Sequence, residues 1–125
     1  MAHSVTAMVL TGSSGLVTIN GGDEDNSDFS SAIVVIDITT LTGTAPTATF
    51  TLQGKDPVSG KYYNILTSAA LATTGTTILR VCMAIAAVAN LIAQDMIPPI
   101  WRVSCVQGGT AVTNLTCTVG VMLVE

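Results

Sequence analysis

Catalysis needs a base, a nucleophile or a metal held within reach of one another. This chain offers few groups for that work. Its single histidine, His3, lies close to the start. A Ser/His or Cys/His pair therefore has no well-placed base, and His3 is read as a solvated terminal residue. Asp37 alternates with Ile36 and Ile38 and reads as a solvated strand carboxylate, while Asp56 and Asp95 fall in turns. No motif brings two carboxylates together as glycoside hydrolysis requires. Gly108-Gly109 is followed by neither a Gly-Lys-Ser/Thr triplet nor a helix start, so it reads as a turn and not a phosphate loop. Arg80 and Arg102 each lie in a strand-like run, where either could pair with Asp37 as a structural ion pair. Trp101 is read as a core residue, and Phe29, Tyr62 and Tyr63 are too few for a sugar-stacking groove. The expectation is no catalytic residue, no cofactor, no metal and no enzyme.

Two further groups could bind something. Asp23-Glu24-Asp25-Asn26-Ser27-Asp28 carries four carboxylates, and hard cations favour clustered oxygens. If Asp23 opened a calcium loop, the glycine needed at the sixth place would be Asp28, so a solvated acidic loop is expected. Cys82, Cys105 and Cys117 are odd in number and lack a Cys-x-x-Cys or Cys/His spacing. They indicate neither a disulfide framework nor a zinc site, and folding in a reducing cytoplasm is expected. Cys105 and Cys117 are read as small, reduced core hydrophobes.

Composition narrows the class. Charged residues make up 10% of the chain, against about 25% in an ordinary soluble protein. Four Lys and Arg against eight Asp and Glu leave a net charge of −4. So few cations cannot track a phosphate backbone, which argues against nucleic acid as a partner. The first residues lack a basic region before an apolar core, so a secretory leader is not expected. The longest apolar run, Val81 to Ile97, is broken by Asn90, Gln94 and Asp95 and is not expected to span a membrane. A surface made of Thr, Ser, Gly and Ala is poorly guarded against association, so a domain that buries surface in an assembly is expected.

The elements follow from period-two alternation. Residues 33–53 hold two alternating runs around Gly43-Thr44-Ala45-Pro46, read as a β-hairpin that buries Val34, Ile36 and Ile38 with Ala48, Phe50 and Leu52. Residues 100–107 and 114–124 repeat the design around Gly108-Gly109-Thr110-Ala111, with Trp101, Val103, Cys105 and the odd-numbered residues 115–123 facing inward. Tyr62–Thr67 and Thr76–Met83 are further strands. Val5–Leu10 and Leu16–Ile19 form a weaker pair about Gly12-Ser13-Ser14-Gly15. Ala84–Asp95 has apolar residues at helical spacing but weak capping, and reads as a short helix or an irregular loop. The fold class expected is all-β, an antiparallel β-sandwich of jelly-roll or immunoglobulin-like type with about seven or eight strands. Residues 1–125 make one domain, with 1–31 as a candidate N-terminal arm.

The succession of an apolar strand, a Gly-Thr-x-Pro loop and an alternating strand ending Leu52-Gln53 is followed by Lys55 to Tyr63, Pro98-Pro99-Ile100-Trp101-Arg102-Val103 and Gly108-Gly109-Thr110-Ala111. Over residues 32–124 this resembles the small β-sandwich structural proteins of tailed bacteriophage virions. The resemblance implies a virion component without catalysis. A capsid decoration (cement) protein on the outside of the head is the first expectation, since an acidic chain suits the outer surface better than packaged DNA. A tail or head–tail junction protein is the alternative within that class, and a carbohydrate-binding or adhesive β-sandwich lies outside it. The partners expected are the major capsid or other virion proteins and further copies of the chain, with a trimer favoured. The location expected is the virion, assembled in the host cytoplasm.

Overall fold

A computed structural model describes residues 2–26 and 29–124. All regular structure in it is β, and two mainly antiparallel sheets pack face to face as a β-sandwich. The strands are β1 (Ala2–Ser13), β2 (Thr18–Asn20), β3 (Glu24–Asp25), β4 (Ser31–Thr44), β5 (Thr47–Lys55), β6 (Tyr62–Thr67), β7 (Gly75–Val81), β8 (Ile92–Ala93), β9 (Ile100–Gly108) and β10 (Ala111–Val124). One sheet has the order β1-β10-β4-β7-β8, and the other β2-β9-β5-β6 with β3 also on β9. Seven of these strands have six residues or more, and the other three are short edge pieces.

The inward faces are those that alternation marks. Val34, Ile36 and Ile38 of β4 and Leu115, Cys117, Val119, Val121 and Leu123 of β10 meet Ala48, Phe50 and Leu52 of β5 and Trp101, Val103 and Cys105 of β9 in one buried core. The pairing differs from the sequence expectation. Neither Gly43–Pro46 nor Gly108–Ala111 closes a hairpin. β4 and β10 lie in one sheet and β5 and β9 in the other, so each link is an arch that carries the chain across the core. Alternation decides which side of a strand is buried, but two strands can bury those sides within one sheet or from opposite sheets.

The two arches lie side by side and fit each other reciprocally. Ala111 pairs with Thr44 in one sheet and Thr47 with Gly108 in the other. The carbonyl oxygen of Ala111 occupies the space where a Cβ on Gly43 would stand, and that of Ala45 does the same at Gly109. Both glycines have positive φ, 144° and 87°, and Ala45 has φ of 46°. The echoed Gly-Thr-Ala therefore marks two halves of one corner.

Two other expectations change. The candidate arm 1–31 is built into both sheets over its described residues. β1 is an edge of the first sheet and buries Ala7 and Met8 in the core, while β2 and β3 line an edge of the second. A bulge between Thr6 and Met8 breaks the alternation and hides that inward face from a period-two reading. Residues 84–95 form no helix. The β7 edge holds this loop through Arg80 N–H to the Leu91 carbonyl at 2.9 Å and Cys82 N–H to the Ala93 carbonyl at 3.0 Å. Asn90 turns it with φ of 65°, and Met83, Val88 and Leu91 stay exposed, so a helix here would have had no core to face.

The corner yields a direct test. Gly109→Ala should destabilise the protein by about 2–4 kcal/mol, since it adds both a left-handed alanine and an overlap with backbone. Gly12→Ala is the comparison. Gly12 has φ of 65° with nothing near its missing Cβ, so only the conformational cost of about 1 kcal/mol remains. Urea titration of both variants measures the difference, and equal losses would show that the arches do not interlock.

Candidate functional site

The groups singled out for chemistry are dispersed, and His3, Asp37, Asp56 and Asp95 are each engaged locally. The exposed His3 stacks on Phe29 with ring centroids 6.2 Å apart. Asp37 points outward from β4 and receives the Thr76 hydroxyl at 3.4 Å. The proposed arginine pairs do not form: Arg80 stands opposite Ile33, four residues along β4 from Asp37, and Arg102 belongs to the other sheet. Asp56 caps its own turn, accepting the Ser59 hydroxyl at 2.7 Å and the Val58 N–H at 3.1 Å, which hold its carboxyl below the usual range. Asp95 accepts the Met96 N–H at 2.7 Å. Trp101 is fully buried. Among the described residues no three His, Cys, Asp or Glu side chains approach closely enough to hold a metal ion, and Asp28 lies outside those residues.

One polar cluster does form, on the outer side of the second sheet. The Arg102 guanidinium lies 3.4 Å from the centre of the Tyr62 ring and donates from Nε to Gln53 Oε1 at 2.8 Å. Gln53 in turn donates to Asn64 at 3.0 Å. Asp23 accepts the Tyr62 hydroxyl at 2.6 Å and pairs with Lys55 at 2.9 Å. The Tyr62 hydroxyl first, then Lys55, lower the Asp23 pKa. The cluster latches the acidic loop to the sheet. It also covers the Tyr62 face that a sugar ring would need.

Two residues that alternation did not single out tie down loops. Gln107 continues the inward side of Trp101, Val103 and Cys105 and is buried at the corner. Its amide accepts the Ser13 hydroxyl and donates to the Gly15 carbonyl at 2.9 Å, pinning the β1–β2 crossing. Asn26, 6% exposed, donates to the Ile97 carbonyl at 3.1 Å and accepts the Phe29 N–H at 2.9 Å. The inward parity of position 107 was the available signal for Gln107, and Asn26 had none.

The outer face of the first sheet is of another kind. Val9, Ile78 and Met122 are 59%, 40% and 41% exposed there, beside half-buried Ile33 and Val35. Gly120, opposite Thr6 and Val35, leaves a shallow hollow of about 270 Å³ walled by Val35, Val121 and Met122. Met122 is in register with Ile33, which lines a second hollow of about 230 Å³ with Arg80, Cys82, Ile85 and Val124. Beyond it the loop exposes Met83, Val88, Leu91 and Met96. Neither β1 nor β10 contains a Lys, Arg, Asp or Glu. The uncharged part of this face is the strip formed by β1 and β10, and Asp37 on β4 and Arg80 on β7 are the charged groups beyond it.

The thiols divide in the same way. All three are free. Burial, then the neighbouring Cys117, pushes the Cys105 thiol up to about 12, and burial pushes Cys117 to about 11. Cys82 is half-exposed, and the Ala84 N–H, followed by the Ser31 hydroxyl, lowers its pKa. Iodoacetamide at about pH 8 should label Cys82 alone in the native protein and all three after denaturation, read by intact mass. Label on Cys105 in the native state would contradict the packing. A second test concerns acid. A depressed Asp23 pKa adds stability above its unfolded value, and that share is lost as pH falls through the folded value. Asp23→Asn should therefore flatten the low-pH limb of the melting curve, and an unchanged limb would show that the latch is energetically silent.

Comparison with protein-family models, with characterised proteins and with solved structures gives no match.

Proposed function

We propose that the chain is a non-catalytic structural subunit of a tailed bacteriophage virion, and that it decorates the outside of the head as a cement protein. The observation that carries this reading is the partly apolar outer face of the first sheet, where Met122 lies beside Ile33 and Ile78 beside Val35, Val9 stands exposed at the β1 edge, and Asp37 and Arg80 are the charged residues. A face of this composition stays in water at a cost and gains by being covered. The major capsid or another virion protein covers it, and further copies of the chain complete the assembly. The polar outer side of the second sheet, whose side chains are bonded to one another, supports a solvent-facing surface. The net charge of −4 keeps that surface clear of packaged DNA. The local engagement of His3, Asp37, Asp56 and Asp95 supports a role without chemistry. The same face would serve a tail or head–tail junction protein, and copy number separates the two. The glycan-binding alternative is less well supported, because Arg102 occupies the ring of Tyr62.

Quantitative mass spectrometry and cryo-EM of virions that encode the chain test the proposal. Decoration is expected to give copies by the hundred on the head exterior. Met122→Glu and Ile78→Glu should abolish binding to bare heads while leaving the circular dichroism spectrum unchanged. A few copies at the neck would move the protein to the junction class, and absence from purified particles would end the virion reading.

A further inference from the structure

The edges of the two sheets are unequally protected. On the second sheet, β2 and β3 have three and two residues. β6 is crossed by the long loop, whose Asn90 donates to the Thr67 carbonyl at 3.0 Å. On the first sheet, β8 and its loop cover the end of β7. The remaining edge, β1, is twelve residues long and carries no proline, lysine, arginine or carboxylate. Such an edge is a template for another strand. Its stretches Ala2–Thr6 and Met8–Leu10 pair regularly with β10, so the backbone on their free side is extended and ready for pairing as well.

We infer that β1 pairs antiparallel with β1 of a second copy, joining the first sheets of two protomers into one continuous sheet about a two-fold axis. The occupant follows from three features. An antiparallel edge complements itself, because rotation about the axis sets each strand's alternating N–H and C=O groups against those of its copy. Acidic protomers repel one another, but β1 and the adjoining β10 are without Lys, Arg, Asp or Glu, so this side is where two copies approach at least electrostatic cost. The pairing also sets Val9, the most exposed aliphatic side chain of either outer sheet face, against the other protomer and doubles the width of the uncharged β1–β10 strip. A closed two-fold pair differs from the trimer favoured in the sequence reading. The inference deepens the reading of the chain as an assembly subunit, but its test needs no particle.

Sedimentation equilibrium of the purified chain over a range of micromolar concentrations tests it. Twice the chain mass is expected. Val9→Lys and, independently, Thr6→Lys should each weaken self-association by about 100-fold or more, since the two-fold brings like charges together. Val58→Lys, in the exposed turn between β5 and β6, should leave it unchanged. Hydrogen exchange should show amides of Ala2–Leu10 gaining protection with concentration while the spectrum of each variant stays native. A wild-type monomer, a series of species growing beyond the dimer, or a dimer indifferent to both lysines would each overturn the inference. A dimer that fails to bind heads would overturn the virion reading alone.

Discussion

The reciprocal fit of Gly43 and Gly109 against the carbonyls of Ala111 and Ala45 is the constraint on which the sandwich turns. Two strand pairs must change sheets at the same place, and the arches can lie that close only where backbone meets backbone without a Cβ. Their register then continues into both layers, β10 along β4 and β9 along β5. The four strands that the arches join thus face each other across the interior, and Phe50, Trp101, Leu115 and Val119 are buried together. Gln107 belongs to the same corner. A buried amide is costly unless satisfied, and here its bonds to Ser13 and Gly15 hold the crossing that starts β2.

With the core arranged this way, the two outer faces diverge. The second sheet turns outward Ser104, Thr51, Gln53 and Arg102, which bond to neighbours on adjacent strands. Polar groups satisfied in this way gain little from a partner. The first sheet turns outward valine, isoleucine, methionine and the hollow at Gly120, with threonines and the charged Asp37 and Arg80 on β4 and β7. Most of the described charges lie in the loops and on the second sheet, away from β1 and β10. A protein with 10% charged residues has concentrated them, and the surface left uncharged is the one from which both the proposed docking and the proposed pairing follow.

The sequence by itself determined the fold class and the inward side of β4, β5, β9 and β10. Those properties depend on local period-two patterning, which survives in any arrangement that buries one side of a strand. It also marked Gly43 and Gly109 as turning points and the two Gly-Thr-Ala segments as equivalents. Partnership was decided only by the tertiary structure. Whether β4 lies beside β5 or across from it depends on contacts between residues far apart in the chain, to which alternation is indifferent. The bulge beside Ala7 shifted the phase of β1 and concealed its place in the core. The apolar spacing of 84–95 resembled a helix because spacing does not record whether a core is available to receive it. The clustering of Asp23, Lys55, Tyr62 and Arg102 arises from three separate segments meeting on one sheet face. No short-range pattern encodes such a meeting, because the fold alone sets the distances between those segments.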